Sequence, residues 1–234
     1  KELSNWELNL FTGVNTLFAS LLNTDGFADL SFGALRVCVG GGMAVQPAVA
    51  KEWARVTGCE IAQGYGLTEV GPNCFSLHQD HAVDRRGSIG FPNFYIEARV
   101  TADDGRECGA DEIGELWLRG EVVTPGYWRN EEATAATIKE GWLHTGDLGH
   151  MDEDGYLYVL GRVKSLLING TGEKYSPEGI EEALVSGTPI IEQVMLHNDH
   201  DPYTVALIVP NREALRDWFL SEGLSWTSLE GQEA

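Results

Sequence analysis

The sequence predicts a mixed α/β and β fold. It has part of a parallel, helix-covered sheet, then a small antiparallel sheet or barrel, then a small α+β unit that ends incomplete. Three observations carry this. Strand-like and helix-like runs alternate through residues 13–66, with glycine-rich segments after the strands. From about residue 86 to 162 the texture shifts to short period-two segments split by Asp-Gly pairs. After Lys164 a marked helix start and further strand-like runs follow. Strand–helix–strand order argues for a parallel sheet, and runs of short strands for an antiparallel one.

Residues 13–22 read as a helix, with Leu17, Phe18, Leu21 and Leu22 on one face. The apolar run Leu35-Arg36-Val37-Cys38-Val39 reads as a buried strand delivering the loop Gly40-Gly41-Gly42. Val45, Val49, Trp53 and Val56 then recur at helical spacing, and Gly58 supplies the stop. A short strand, Glu60-Ile61-Ala62-Gln63, leads into a loop around Tyr65. Ligands of such sheets sit at the carboxyl ends of the strands, where both glycine segments fall. In the next region Glu115-Leu116-Trp117-Leu118-Arg119 alternates, while Asp104-Gly105 and Asp154-Gly155 mark hairpin turns. Tyr127, Trp128 and Trp142 are read as core and edge packing there. Ser176-Pro177-Glu178 opens a helix, with Ser as cap and Pro in its first turn, and Ile180, Ala183 and Leu184 form its apolar face. Strands around 190–197 and 203–209 and a helix bearing Ala214, Leu215, Trp218 and Phe219 complete the pattern.

Composition narrows the function classes. With 43% hydrophobic residues the 234-residue chain can bury a core, so disorder is excluded. Sixteen basic against 36 acidic residues give a net charge of -20, which argues against a nucleic-acid surface. An anionic ligand would have to be held by local donors and metal rather than by the overall field. No apolar run reaches the length of a membrane span, and nothing at the start resembles a signal peptide. Cys38, Cys59, Cys74 and Cys108 show no CxxC spacing, so a reducing cytoplasm is expected. His78-Gln79-Asp80-His81 and His197-Asn198-Asp199-His200-Asp201 carry metal-ligand residue types but read as solvated loops, because neither has zinc spacing.

Four segments form an ordered set: Gly64-Tyr65-Gly66-Leu67-Thr68-Glu69, Gly126-Tyr127-Trp128, Thr145-Gly146-Asp147-Leu148-Gly149 and Gly161-Arg162-Val163-Lys164. Each alone is a set of turn residues. Together, at this spacing, they resemble the signatures of the acyl-adenylate-forming superfamily of acyl-CoA synthetases, luciferases and peptide-synthetase adenylation domains. Within it, Thr12-Gly13-Val14-Asn15-Thr16-Leu17-Phe18, Gly40-Gly41-Gly42-Met43 and Gly172-Glu173-Lys174-Tyr175-Ser176-Pro177-Glu178 are most similar to the long-chain fatty-acid–CoA ligases. There is no Gly-x-Ser-x-Gly elbow of the hydrolase kind.

The resemblance implies an acyl-CoA synthetase-like fold that uses ATP, Mg2+ and coenzyme A, with a fatty acid as the other small-molecule substrate. It places Gly41 and Gly42 at the floor of the adenine and acyl site, where a side chain would obstruct close approach, and counts Gly64 and Gly66 among the nucleotide-binding residues. Tyr65 would lie against adenine, and Thr68 would hold a phosphate oxygen. Glu69 would hold magnesium, a hard cation that prefers oxygen. Asp147 would accept both ribose hydroxyls, and Arg162 would donate to the same sugar. Lys164 matches a hinge position and Gly172 a glycine beside the coenzyme A channel; read alone, they are a solvated lysine and a turn glycine.

By the same resemblance, residues 1–162 are the C-terminal half of the large domain, its α/β part at 1–85 and its antiparallel part at 86–162. Residues 163–234 are a truncated lid. A chain that begins at Lys1 is expected to come from a longer protein. No phosphate loop ending in Lys precedes Gly40, and no lysine follows Lys174, so the isolated chain is expected to be inactive. Leu167-Ile168-Asn169 stands where many relatives carry a lysine. Two other functions remain open at this point. One is an acyl-adenylating enzyme serving a carrier protein or an acyltransferase partner; the other is a non-catalytic nucleotide-binding domain. A cytoplasmic protein is expected, with peripheral membrane contact of the longer protein left open.

Overall fold

The computed structural model describes residues 3–223, and the chain divides into two compact units, one ending at Lys164 and the other beginning at Ser165. The first unit opens with β1 (Leu10–Gly13), α1 (Asn15–Leu22), β2 (Val37–Gly40) and α2 (Pro47–Thr57). Next come β3 (Ile61–Leu67), β4 (Gly71–Ser76) and the two-residue β5 (Phe91–Pro92). β1, β2 and β3 are parallel neighbours, and β4 and β5 extend the same sheet antiparallel. The parallel layer expected from the strand–helix–strand pattern is therefore present.

Helix α2 follows its sequence cues. Pro47 occupies the first turn, where its missing N–H costs no bond, and Gly58 closes the helix at φ +70 with its N–H on the Ala54 carbonyl. The helix buries Val49, Ala50 and Trp53. The Trp53 ring meets Phe18 edge-on at 4.7 Å and stacks on Phe11 at 5.4 Å, and its indole N–H donates to Cys38 Sγ at 3.3 Å. Burial pushes the Cys38 thiol up to about 12, so it packs as an inert apolar group.

Two expectations shift here. Helix α1 starts at Asn15 rather than at residue 13, because Leu10–Gly13 pair with β2 as a strand too short to show a period. Leu17 is 41% exposed, and Phe18 carries the buried face. The second shift is larger: Gly64-Tyr65-Gly66 is not a loop but the middle of β3. Tyr65 pairs with Phe75 of β4, and the register slips before Leu67 pairs with Gly71. A Cβ on Gly66 would lie 2.4 Å from the Pro72 carbonyl carbon, so that glycine serves a close approach of two strands.

The antiparallel part comprises β6 (Ile96–Thr101), β7 (Gly114–Gly120), the short α3 (Glu131–Thr137), β8 (Ile138–Lys139), β9 (Trp142–Met151) and β10 (Leu157–Arg162). Its order is β10-β9-β7-β6, with β8 added to β9. Gly105 and Gly155 adopt positive φ in the turns that Asp-Gly foretold. Helix α3 was hidden among the strand signals. Asn130 caps it, its Oδ1 accepting from the Ala133 N–H at 3.0 Å, and Glu131 and Glu132 fill the first turn. Leu116, Leu118, Leu143 and Leu157 meet Val70, Cys74 and Phe75 in one core, so both sheets share an interior beside the β3–β4 turn. Trp142 does pack, with Arg99 and Arg119 over its ring, but Trp128 is 87% exposed and belongs to no core.

In the second unit β11 (Leu167–Asn169) pairs antiparallel with β12 (Lys174–Tyr175). Helix α4 (Glu178–Gly187) and strand β13 (Ile191–His197) follow, then β14 (Asp199–Asp201), which lies parallel to β11. β15 (Val205–Pro210) pairs antiparallel with β13, and α5 (Arg212–Ser221) closes the described part. Pro177 rather than Ser176 takes the cap position of α4, although the Ser176 hydroxyl still accepts from the Glu178 N–H at 3.4 Å. Among the described residues no helix is long and apolar enough to cross a membrane.

Candidate active site

The ordered motifs converge at the junction of the two sheets of the first unit. β3 carries Tyr65 and the following turn carries Thr68 and Glu69. β9 carries Asp147, and β10 ends at Arg162, its register partner. The Tyr65 hydroxyl donates to Asp147 Oδ2, and Arg162 forms an ion pair with Asp147, its Nε 3.1 Å from Oδ1. Asp147 is only 5% exposed, whereas the Arg162 side chain is half exposed. The carboxylate is thus fixed from both sides, with a rigid phenol on one oxygen and a solvent-reaching fork on the other.

Burial pushes the Asp147 carboxyl above its ordinary value, against the Tyr65 hydrogen bond and the Arg162 charge, which pull it down. The Tyr65 hydroxyl is pushed far up, first by burial and then by the adjacent Asp147 charge, so it stays a neutral donor. Its ring stands edge-on to Phe75 at 5.9 Å. Gly41 approaches the same place from β2, where an added Cβ would lie 3.6 Å from the Gly64 carbonyl, and Gly42 follows at φ +80.

Glu69 is held by Thr124 and by Tyr127 of the Gly126-Tyr127-Trp128 segment. The Tyr127 hydroxyl donates to Glu69 Oε1 at 2.7 Å, and the Thr124 N–H donates to the Glu69 carbonyl at 2.7 Å. Tyr127, expected from the sequence to pack, instead directs its hydroxyl to Glu69, an expected site residue. Among the described residues Glu69 Oε2 has no hydrogen-bond partner, and Thr68 is exposed beside it. Lys164 sits in the 3₁₀ turn Val163–Ser165, where the first unit ends. Gly172 lies in the second unit, in the β11–β12 turn, its N–H on the Asn169 carbonyl at 2.8 Å.

One residue near the site escaped the sequence reading. Glu115 Oε1 accepts the Gly146 N–H at 2.9 Å, next to Asp147. The alternating strand around Glu115 was evident, but its partner is 31 residues away and no spacing rule connects them.

The fold of this chain is that of the acyl-CoA synthetase-like enzymes, shown by solved structures of the same architecture. Residues 1–128 match the AMP-binding enzyme family, and the chain belongs to that family. A long-chain-fatty-acid–CoA ligase of Yersinia pestis is 42% identical over 199 residues, covering 84% of this chain and 34% of its own length. The chain therefore spans about a third of the length of the curated relatives it matches. O-Succinylbenzoate coenzyme A synthetase of Bacillus subtilis, solved with ATP and a magnesium ion, superposes with a TM-score of 0.73 at 31% identity. That match covers 88% of this chain and 42% of the other. The same enzyme with its acyl-adenylate intermediate gives a TM-score of 0.75 at 29% identity, covering 96% and 46%.

Proposed function

We propose that the chain is part of a long-chain fatty-acid–CoA ligase, which joins a fatty acid to ATP as acyl-AMP with release of pyrophosphate and then transfers the acyl group to coenzyme A. The observation that carries this reading is the buried Asp147, gripped by Tyr65 and Arg162 within a family named for AMP binding. The 42% identity to a long-chain ligase supplies the substrate class.

The residues support distinct roles. Asp147 presents an ionised acceptor to the two ribose hydroxyls, and Arg162 donates to the same sugar from the solvent side. Tyr65 offers an aromatic wall to the adenine, and Gly41, beside the Gly64 carbonyl, adds no side chain to that approach. Thr68 reaches toward the phosphates from the exposed turn. Glu69 Oε2 is a hard oxygen donor suited to magnesium, which when bound would offset the phosphate charge. Tyr127 fixes the opposite oxygen and so sets the direction in which Oε2 points.

The reading is tested in the full-length protein by exchange of labelled pyrophosphate into ATP across a panel of carboxylic acids. Exchange is expected with long-chain acids and to be weak with aromatic ones. If no medium- or long-chain acid supports exchange, the ligase reading fails. Tyr127→Phe provides a finer check, since it keeps the ring and removes only the bond to Glu69. One hydrogen bond to a charged group contributes about 1.5–3 kcal/mol at most, less in an exposed setting. The magnesium concentration for half-maximal exchange is therefore expected to rise about threefold to tenfold with a small change in maximal rate. An unchanged magnesium dependence would separate Tyr127 from the metal ligand.

A further inference from the structure

Strands β7 and β9 run out of step at the Asp147 site. Glu115 pairs with Leu148 and Trp117 with His144, so Leu116 on β7 faces three residues on β9, Thr145, Gly146 and Asp147. The two extra residues bulge outward, Gly146 takes φ +73, and Asp147 is thrown toward Tyr65. A bulge of this kind strips backbone donors of their ladder partners, and buried donors need replacements.

Side chains supply them. The Thr145 hydroxyl donates to the Leu116 carbonyl at 2.7 Å and accepts the Asp147 N–H at 3.0 Å. The Gly146 N–H, at the crest, goes to Glu115 Oε1 at 2.9 Å. Glu115 is itself held: Oε2 accepts the Trp117 indole N–H at 2.8 Å and lies 3.5 Å from His144 Nδ1. The Trp117 ring rests on His144 at 3.7 Å and beneath the Arg99 guanidinium at 4.6 Å. The carboxylate therefore has little freedom, and neither does the peptide it grips.

We propose that Glu115 is a positioning residue for nucleotide binding: through the Gly146 N–H it sets where the Asp147 carboxylate stands. This rests on the reading of Asp147 as the ribose acceptor. Glu115 does not touch the nucleotide, so its influence must pass through Asp147 and must vanish when Asp147 or its ligand groups are removed.

The test uses the full-length protein and a double-mutant cycle of Glu115→Gln and Asp147→Ala, read as KM for ATP and kcat. Glutamine keeps the volume but presents an N–H where two donors, Gly146 and Trp117, need acceptors. Glu115→Gln alone is expected to raise KM for ATP about tenfold with kcat within about threefold, as loss of one charge-assisted bond predicts. In the Asp147→Ala background it should add no further rise, and with 2′,3′-dideoxy-ATP the variant and the parent should have the same KM. Trp117→Phe, which removes one of the bonds holding Glu115, is a second route should Glu115→Gln fail to fold; it should give the same signature at about threefold. Additive penalties in the cycle, or a lower melting temperature with KM unchanged, would show Glu115 to be only a staple of the bulge. If Asp147→Ala alone left KM unchanged, the ribose reading would fall and this inference with it.

Discussion

Replacing Asp147 with alanine in the full-length protein is expected to lower kcat/KM for ATP about a hundredfold or more while leaving the fold intact. Two effects of opposite sign act on the free protein. The variant strands the Tyr65 hydroxyl, a buried donor whose loss of an acceptor costs about 1–3 kcal/mol. It also removes a carboxylate whose raised pKa shows that burial already works against its charged form, which offsets part of that loss. A small fall in melting temperature is the net expectation. The nucleotide has no such compensation. On the proposed ribose role, each hydroxyl would lose a bond to an ionised acceptor, Asp147, that is only 5% exposed, at about 1.5–3 kcal/mol apiece. Initial rates over a range of ATP concentrations, with thermal unfolding alongside, check both halves. Wild-type kinetics in a stable variant would take Asp147 out of the site.

The architecture was legible because its signals are local. The Pro47 start and Gly58 stop of α2, the alternation of β7 and the Asp-Gly turns depend on neighbouring residues alone. The 42%-identical relative and the family match agree with the ordered motifs, which needed only linear spacing. What the sequence concealed was long-range. Glycines on both sides of Tyr65 imply a loop when read along the chain, yet Gly66 is a glycine because another strand's backbone passes 2.4 Å from where its Cβ would be. Tyr127 resembled packing because an aromatic ring does not announce its hydroxyl's partner, here 58 residues earlier. Glu115 gave no signal beyond its place on an alternating strand. Helix α3 could have been found: Asn130 followed by Glu131 and Glu132 is an ordinary helix start, masked by the strands around it.

Lys164→Pro is expected to separate the two half-reactions proposed for the full-length protein. Lys164 is the last residue of the first compact unit and sits in a three-residue 3₁₀ turn, a short connector between β10 and β11. A hinge works by letting one or two backbone torsions change while both sides stay folded. Proline fixes φ near −65° and disfavours helical torsions at the preceding Val163. Neither restriction acts on the torsions of Asp147, Tyr65 or Arg162, which is held in β10, so pyrophosphate exchange should stay within about threefold of the parent. Transfer of the acyl group to coenzyme A, if it requires rotation at this turn, should fall about a hundredfold or more, since the arrangement that holds thiol and adenylate in line would not form. Lys164→Ala distinguishes the torsion from the charge: it frees the backbone and removes the ammonium, and both half-reactions should then survive. Equal losses of exchange and transfer in Lys164→Pro would place the pivot elsewhere. A collapse of transfer in Lys164→Ala would mean that the side chain, rather than the peptide on which it stands, does the work.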